Sequence, residues 1–88
     1  MKIKNELMLR EIAGNYIIVP VGGELVDLNA MININDTGAF IFKALETETT
    51  PEEIVKLMTK EYDIDDETAK NDVNEFIDVL RKNSMLQE

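Results

Sequence analysis

The chain contains no cysteine, no histidine and no tryptophan. Without thiols or imidazoles there can be no disulfide framework, no thiolate or imidazole metal ligand, no cysteine nucleophile and no ordinary acid–base shuttle. A reducing compartment costs such a chain nothing. Long apolar runs are also missing: none approaches the ~20 residues of a membrane span. The start, Met1-Lys2-Ile3-Lys4-Asn5-Glu6, leads into alternating sequence and lacks the apolar region of roughly 7–15 residues that marks a secretory signal. These absences predict a cytoplasmic chain with no membrane partner. Cations are scarce too, with 9 Lys plus Arg against 18 Asp plus Glu and a net charge of −9. The imbalance is uneven, at three cations against four anions up to Asn35 and six against fourteen after it. Nucleic acid and anionic lipid are bound through clustered Lys and Arg, so an acidic second half argues against both.

What remains in 88 residues, 44% of them hydrophobic, is enough for a single domain, residues 1–88, with one small core. The apolar pattern changes near Asn35 from two-residue spacing to helical spacing, so a small sheet should precede a helical bundle. Leu7 and Leu9 alternate with Met8 and Arg10. Gly14-Asn15 then supplies a turn before Tyr16-Ile17-Ile18-Val19-Pro20, which makes a hairpin. Pro20 cannot donate to a ladder, so its strand should end there or lie with that side unpaired. After a Gly22-Gly23 turn, Met31-Ile32-Asn33-Ile34 reads as a third short strand, while Leu25-Val26-Asp27-Leu28 fits a strand or an extended loop equally well. Met8, Ile17, Val19, Ile32 and Ile34 are expected in the core.

Asn35 or Asp36 can cap a first helix with Phe40, Ile41, Ala44 and Leu45 on its apolar side. Gly38 costs about 1 kcal/mol against Ala inside a helix, so its presence there implies close backbone approach to the sheet. Thr50-Pro51-Glu52-Glu53 has the form of a capping box with proline in the first helical position, and the stripe that follows is Ile54, Leu57, Met58 and Tyr62. Asp65 or Asp66 opens a third helix with Ala69, Val73, Phe76, Ile77 and Leu80 on one face, Asn83 as a left-handed terminator, and Met85-Leu86 folding back onto the body.

Few segments carry chemistry. Asp63, Asp65 and Glu67 have the 1, 3, 5 spacing of a calcium loop, but position six is Thr68 where Gly is needed and position twelve is Asn74 where a bidentate Glu is needed. Carboxylates at a helix N-terminus are explained by capping and the helix dipole. Gly22-Gly23 is too short to cradle a phosphate and no Lys-Ser or Lys-Thr follows it. No catalysis, metal or cofactor is therefore expected. A sheet with three helices could form a winged helix, yet the third helix carries Asp66, Glu67, Asp72, Glu75 and Asp78 against Lys70, Arg81 and Lys82. DNA would repel it.

Several segments together resemble the PqqD-type family, the small peptide-binding domains also called RiPP recognition elements. They are Ile34-Asn35-Asp36-Thr37-Gly38-Ala39 with Ile41 after it, Thr50-Pro51-Glu52-Glu53-Ile54, Glu61-Tyr62-Asp63, and Asp72-Val73 followed by Phe76, Leu80 and Met85-Leu86. The resemblance runs from Leu9 to Leu86. Phe42 stands where the family often has Trp, and Ser84 replaces a small residue common near the end of the third helix. The resemblance implies an α+β, winged-helix-like fold of three antiparallel strands followed by a three-helix bundle. It further implies a non-catalytic adaptor that binds the leader of a ribosomally made precursor peptide and presents it to a modifying enzyme, often a radical SAM protein. The leader would add as a strand along Met31, Ile32, Asn33 and Ile34 and rest against the helix from Asp66 to Lys82.

If Ala69, Val73, Phe76 and Leu80 form the core seam of that helix, then Lys70, Asn74, Ile77 and Arg81 lie on its flank. With Val73 beside them, they are the expected peptide contacts, and Lys70 and Arg81 would suit an acidic leader. A winged-helix regulator acting on DNA or on a protein partner is the alternative.

Overall fold

The computed structural model describes residues 1–20 and 32–88. Strands β1 (Lys2–Ile3), β2 (Leu7–Ile12), β3 (Asn15–Pro20) and β4 (Ile32–Ile34) precede helices α1 (Asp36–Ala44), α2 (Pro51–Glu61) and α3 (Asp66–Lys82), and β5 (Leu86–Gln87) ends the order. The fold is α+β, with an antiparallel sheet ordered β2-β3-β4 and a separate two-stranded ribbon of β1 and β5. The Gly22-Gly23 turn, Met31 and the segment Leu25-Val26-Asp27-Leu28 lie outside the described residues.

The β2–β3 hairpin closes between Ile12 and Asn15, so its two-residue turn is Ala13-Gly14, one position earlier than the sequence predicts. Both residues have positive φ, +53° for Ala13 and +83° for Gly14, the signature of a turn whose twist matches the flanking strands. β3 is described as far as Pro20, which stands opposite Leu7 across the hairpin. β4 pairs antiparallel with β3, setting Tyr16 opposite Ile34 and Ile17 opposite Asn33.

The alternation places Leu7, Leu9 and Ile34 against the core and buries Ile18 completely. This corrects the expected core set. Met8 is 36% exposed on the other face, and Ile17 and Val19 are half-buried on that face too. In a run of four apolar residues the period of two has no polar partner to fix its phase, and the pairing of Ile18 with Leu9 decides it.

Each helix is capped by a side chain in the loop before it. Asn35 Oδ1 accepts from the Gly38 amide at 2.8 Å, Thr50 Oγ1 from the Glu53 amide at 3.2 Å, and Asp65 Oδ1 from the Thr68 amide at 2.8 Å. The caps are thus Asn35 and Asp65 and not Asp36 and Asp66. Glu53 departs from the capping box, because its carboxylate accepts from the Thr49 hydroxyl at 3.0 Å, one residue further back. On α2, Val55 is buried and Leu57 is 47% exposed, so the stripe is centred one residue from where the periodicity put it.

At the end of α3 the left-handed residue is Ser84, at φ +58°, and not Asn83. Its amide bonds Arg81 O and the Met85 amide bonds Leu80 O at 2.9 Å, the double closure of a Schellman motif. The motif turns Met85 into the core against Leu80, where the two are 2% and 0% exposed.

A feature that short strands hide from sequence reading is the packing of the N-terminal residues. Ile3 is buried, its amide donates to Leu45 O at 2.8 Å, and the Lys4 amide donates to Met85 O at 2.9 Å. The first and last strands are thereby tied to the end of α1. The central core is Phe42, Ile41, Leu45, Ile54, Met58, Val73, Leu80 and Ile18. Phe40 and Tyr62 close its rim edge to face, with ring centroids 5.5 Å apart.

Candidate functional site

β4 is three residues long and turns directly into α1 through Asn35. Among the described residues it pairs on one side only, with β3, so its other edge offers unpaired backbone groups. Beside this turn lies a shallow groove of about 190 Å³ lined by Asn35, Thr37, Asp72, Glu75, Phe76 and Val79. Asn35 is fixed there by accepting from both the Gly38 amide and the Thr37 hydroxyl.

Gly38 sets the depth of that groove. A Cβ at this position would sit 3.2 Å from each of Ile34 Cβ, Asn35 Oδ1 and Phe76 Cε1. The missing methyl group is therefore what lets the Phe76 ring nest against the β4–α1 turn, and the close approach expected from the sequence is present. Phe76 remains half-buried and Val79 is 40% exposed, so the helix offers the groove an apolar floor.

The sequence-predicted site residues separate on this structure. Ile77 is 3% exposed and belongs to the core seam with Ala69, Val73 and Leu80. It is not on the flank. Phe76, expected in the seam, takes the flank instead. Lys70 and Asn74 face away from β4 and line a different groove with Pro51, Glu52, Val55, Lys56 and Asp66 on the α2 side. Arg81 is held by Glu88 through two hydrogen bonds, at 2.7 and 3.1 Å, and lies 3.7 Å from Asp78. Asn33 is exposed at the sheet edge and Ile34 packs toward the core. Sequence reasoning missed Asp72, Glu75, Phe76 and Val79 as a group. The signal that could have found them was Gly38, since a gap beside the sheet needs a large side chain to fill it.

The electrostatics around the β4–α1 turn are acidic. The Tyr16 phenol, in register with Ile34, is pushed above its usual range, first by Glu11 across the hairpin, then by partial desolvation and by Asp36. Lys43 Nζ sits 5.9 Å above the Tyr16 ring. Glu88 is held below the ordinary carboxylate range by the hydrogen bond from Arg81. Among the described residues every buried side-chain nitrogen or oxygen has a hydrogen-bond partner, and no group of three or more carboxylates could hold a metal. No helix there is long and apolar enough to cross a membrane.

The family model for coenzyme PQQ synthesis protein D (PqqD) matches residues 15–86. The chain belongs to the PqqD family. A comparison with curated proteins gives no match. Among solved structures, the chain is similar to TbiB1 in complex with the TbiA(beta) leader peptide, with a TM-score of 0.76 and 24% identity over 99% of this chain and 95% of that one. It is also similar to lasso peptide synthetase B1 complexed with its leader peptide, with a TM-score of 0.74 and 18% identity over 99% of this chain and 96% of that one. At these identities the likeness establishes the fold.

Proposed function

We propose that this PqqD-family chain is a non-catalytic adaptor that binds the leader of a ribosomally made precursor peptide and presents it to a maturation enzyme, a radical SAM protein being the first candidate. The observation that carries the reading is an edge strand beside a half-apolar helical groove, in a fold shared over 99% of the chain with two proteins solved with their leader peptides. An extended leader adds to β4 by backbone hydrogen bonds, which supply affinity, while the groove takes alternate side chains and supplies specificity.

The contacts on α3 then come from Phe76 and Val79, with Asp72 and Glu75 beside them. Lys70, Asn74, Val73, Ile77 and Arg81 leave the proposed contact set, the first two for the α2 groove, Val73 and Ile77 for the core, and Arg81 for its pairing with Glu88. The test is calorimetric titration with the leader of a short precursor encoded beside the chain. Micromolar or tighter binding that Phe76→Ala weakens supports the reading. Leader binding unchanged by Phe76→Ala, or none at all, rejects it.

A further inference from the structure

Resting on the leader-binding reading, we infer that the groove beside β4 selects a leader carrying a basic side chain next to an apolar anchor, rather than the acidic leader that Lys70 and Arg81 suggest. The inference follows from what lines the groove and from where the cations are. Asp72 and Glu75 share it with the apolar Phe76 and Val79, at helical spacings that put all four on one face of α3. Neither acid takes part in the ion pairs formed among the described residues, which join the N-terminal amine to Glu48 and Arg81 to Asp78 and Glu88.

The nine cations of the chain are Lys2, Lys4, Arg10, Lys43, Lys56, Lys60, Lys70, Arg81 and Lys82, so residues 21–31 hold none and cannot neutralise the groove. Lys70 lies on the α2 side, Arg81 is committed to Glu88, and Lys43 sits over Tyr16. Lys82 continues the stripe one turn past Val79, about 15 Å along the helix from Asp72, so the acidic end of the groove stays uncompensated. A Lys or Arg of the incoming strand can lay its methylene stem along Phe76 and place its charge between Asp72 and Glu75.

The test selects random displayed peptides of about 15 residues, long enough to run the length of the groove, on the full chain at about 0.15 M salt. The same selection is made on the Asp72→Asn/Glu75→Gln double variant and on Phe76→Ala, with circular dichroism confirming that each is folded. Wild-type selection should enrich Lys or Arg beside an apolar residue, and the double variant should lose that preference. For one enriched peptide, Lys→Gln should weaken binding about three- to tenfold on the wild type and less than about twofold on the double variant, the range expected for one or two partly exposed ion pairs. Peptides that depend on Phe76 but show no basic preference, or an acidic one, overturn this inference and leave leader binding standing. Enrichment that ignores Phe76→Ala overturns both.

Discussion

Replacing Gly38 with Ala sets two effects of known size against each other. In favour of the variant, Ala gains at most about 1 kcal/mol over Gly in a helix. Against it, the new methyl group would lie 3.2 Å from three different heavy atoms, closer than comfortable van der Waals separation. One of them, Ile34 Cβ, is fixed to the backbone of β4. Another, Asn35 Oδ1, holds the α1 cap at 2.8 Å and cannot retreat without lengthening that bond. The Phe76 ring has the freedom to move, and it can move only toward the groove. Overpacking of this kind costs about 1–3 kcal/mol, so the net change is a destabilisation of about 1 kcal/mol, read as a lower urea midpoint with unchanged slope. Phe76→Leu removes one of the three contacts, so the double variant should recover about 0.5 kcal/mol or more of coupling. The groove should respond as well, with leader affinity falling several-fold in Gly38→Ala. A variant more stable than wild type by about 1 kcal/mol would refute the reasoning, because propensity would then outweigh the close approach.

Ile77→Ala should cost about 2–4 kcal/mol because it empties a core position, while Phe76→Ala should cost about half as much yet weaken leader binding more; chemical denaturation and calorimetry on both variants check the ordering. Ala13→Gly and Ser84→Gly should each stabilise by about 0.5–1 kcal/mol, since both residues have positive φ, and thermal melts showing either variant below wild type would contradict that account. Asp65 is held below the ordinary carboxylate range by its hydrogen bonds from Thr68. Its stabilisation is therefore complete above about pH 4 and fades as the pH falls through the lowered value. Asp65→Asn should flatten the acid limb of a urea-midpoint profile, and an unchanged limb would count against the cap's charge. Duplex DNA should show no gel shift at micromolar protein and about 0.15 M salt.

The N-caps and the change of period at Asn35 were legible in the sequence because each is written in neighbouring residues, and Gly38 was legible as a poor helix former kept inside a helix, although the ring it makes room for, Phe76, is distant in the chain. Thr50-Pro51 and Asp65 announce their helices through side chains that bond amides three residues on. The phase of each buried face was not legible to the same degree. Phe76 and Ile77 are both three or four residues from Val73 and Leu80, so helical spacing alone fits either as the core residue, and the bulkier ring draws the seam toward itself. Tertiary packing reverses the choice, since the space Gly38 leaves beside β4 accepts the ring and leaves Ile77 in the buried seam. The same ambiguity moved the α2 stripe from Leu57 to Val55. β1 and β5 were invisible because two residues carry no period, and their pairing depends on Ser84 turning the chain back beneath α1.

The central claim, that an extended peptide adds to β4 and leans on Phe76, is tested most directly by amide-shift mapping of the labelled chain with a leader peptide that binds it. Shifts and slowed hydrogen exchange at Ile32, Asn33 and Ile34, together with shifts at Asn35, Phe76 and Val79, are the expected result. Shifts confined to β2 and the Ala13-Gly14 turn, with β4 and α3 silent, would place the peptide on the opposite edge of the sheet and contradict the account.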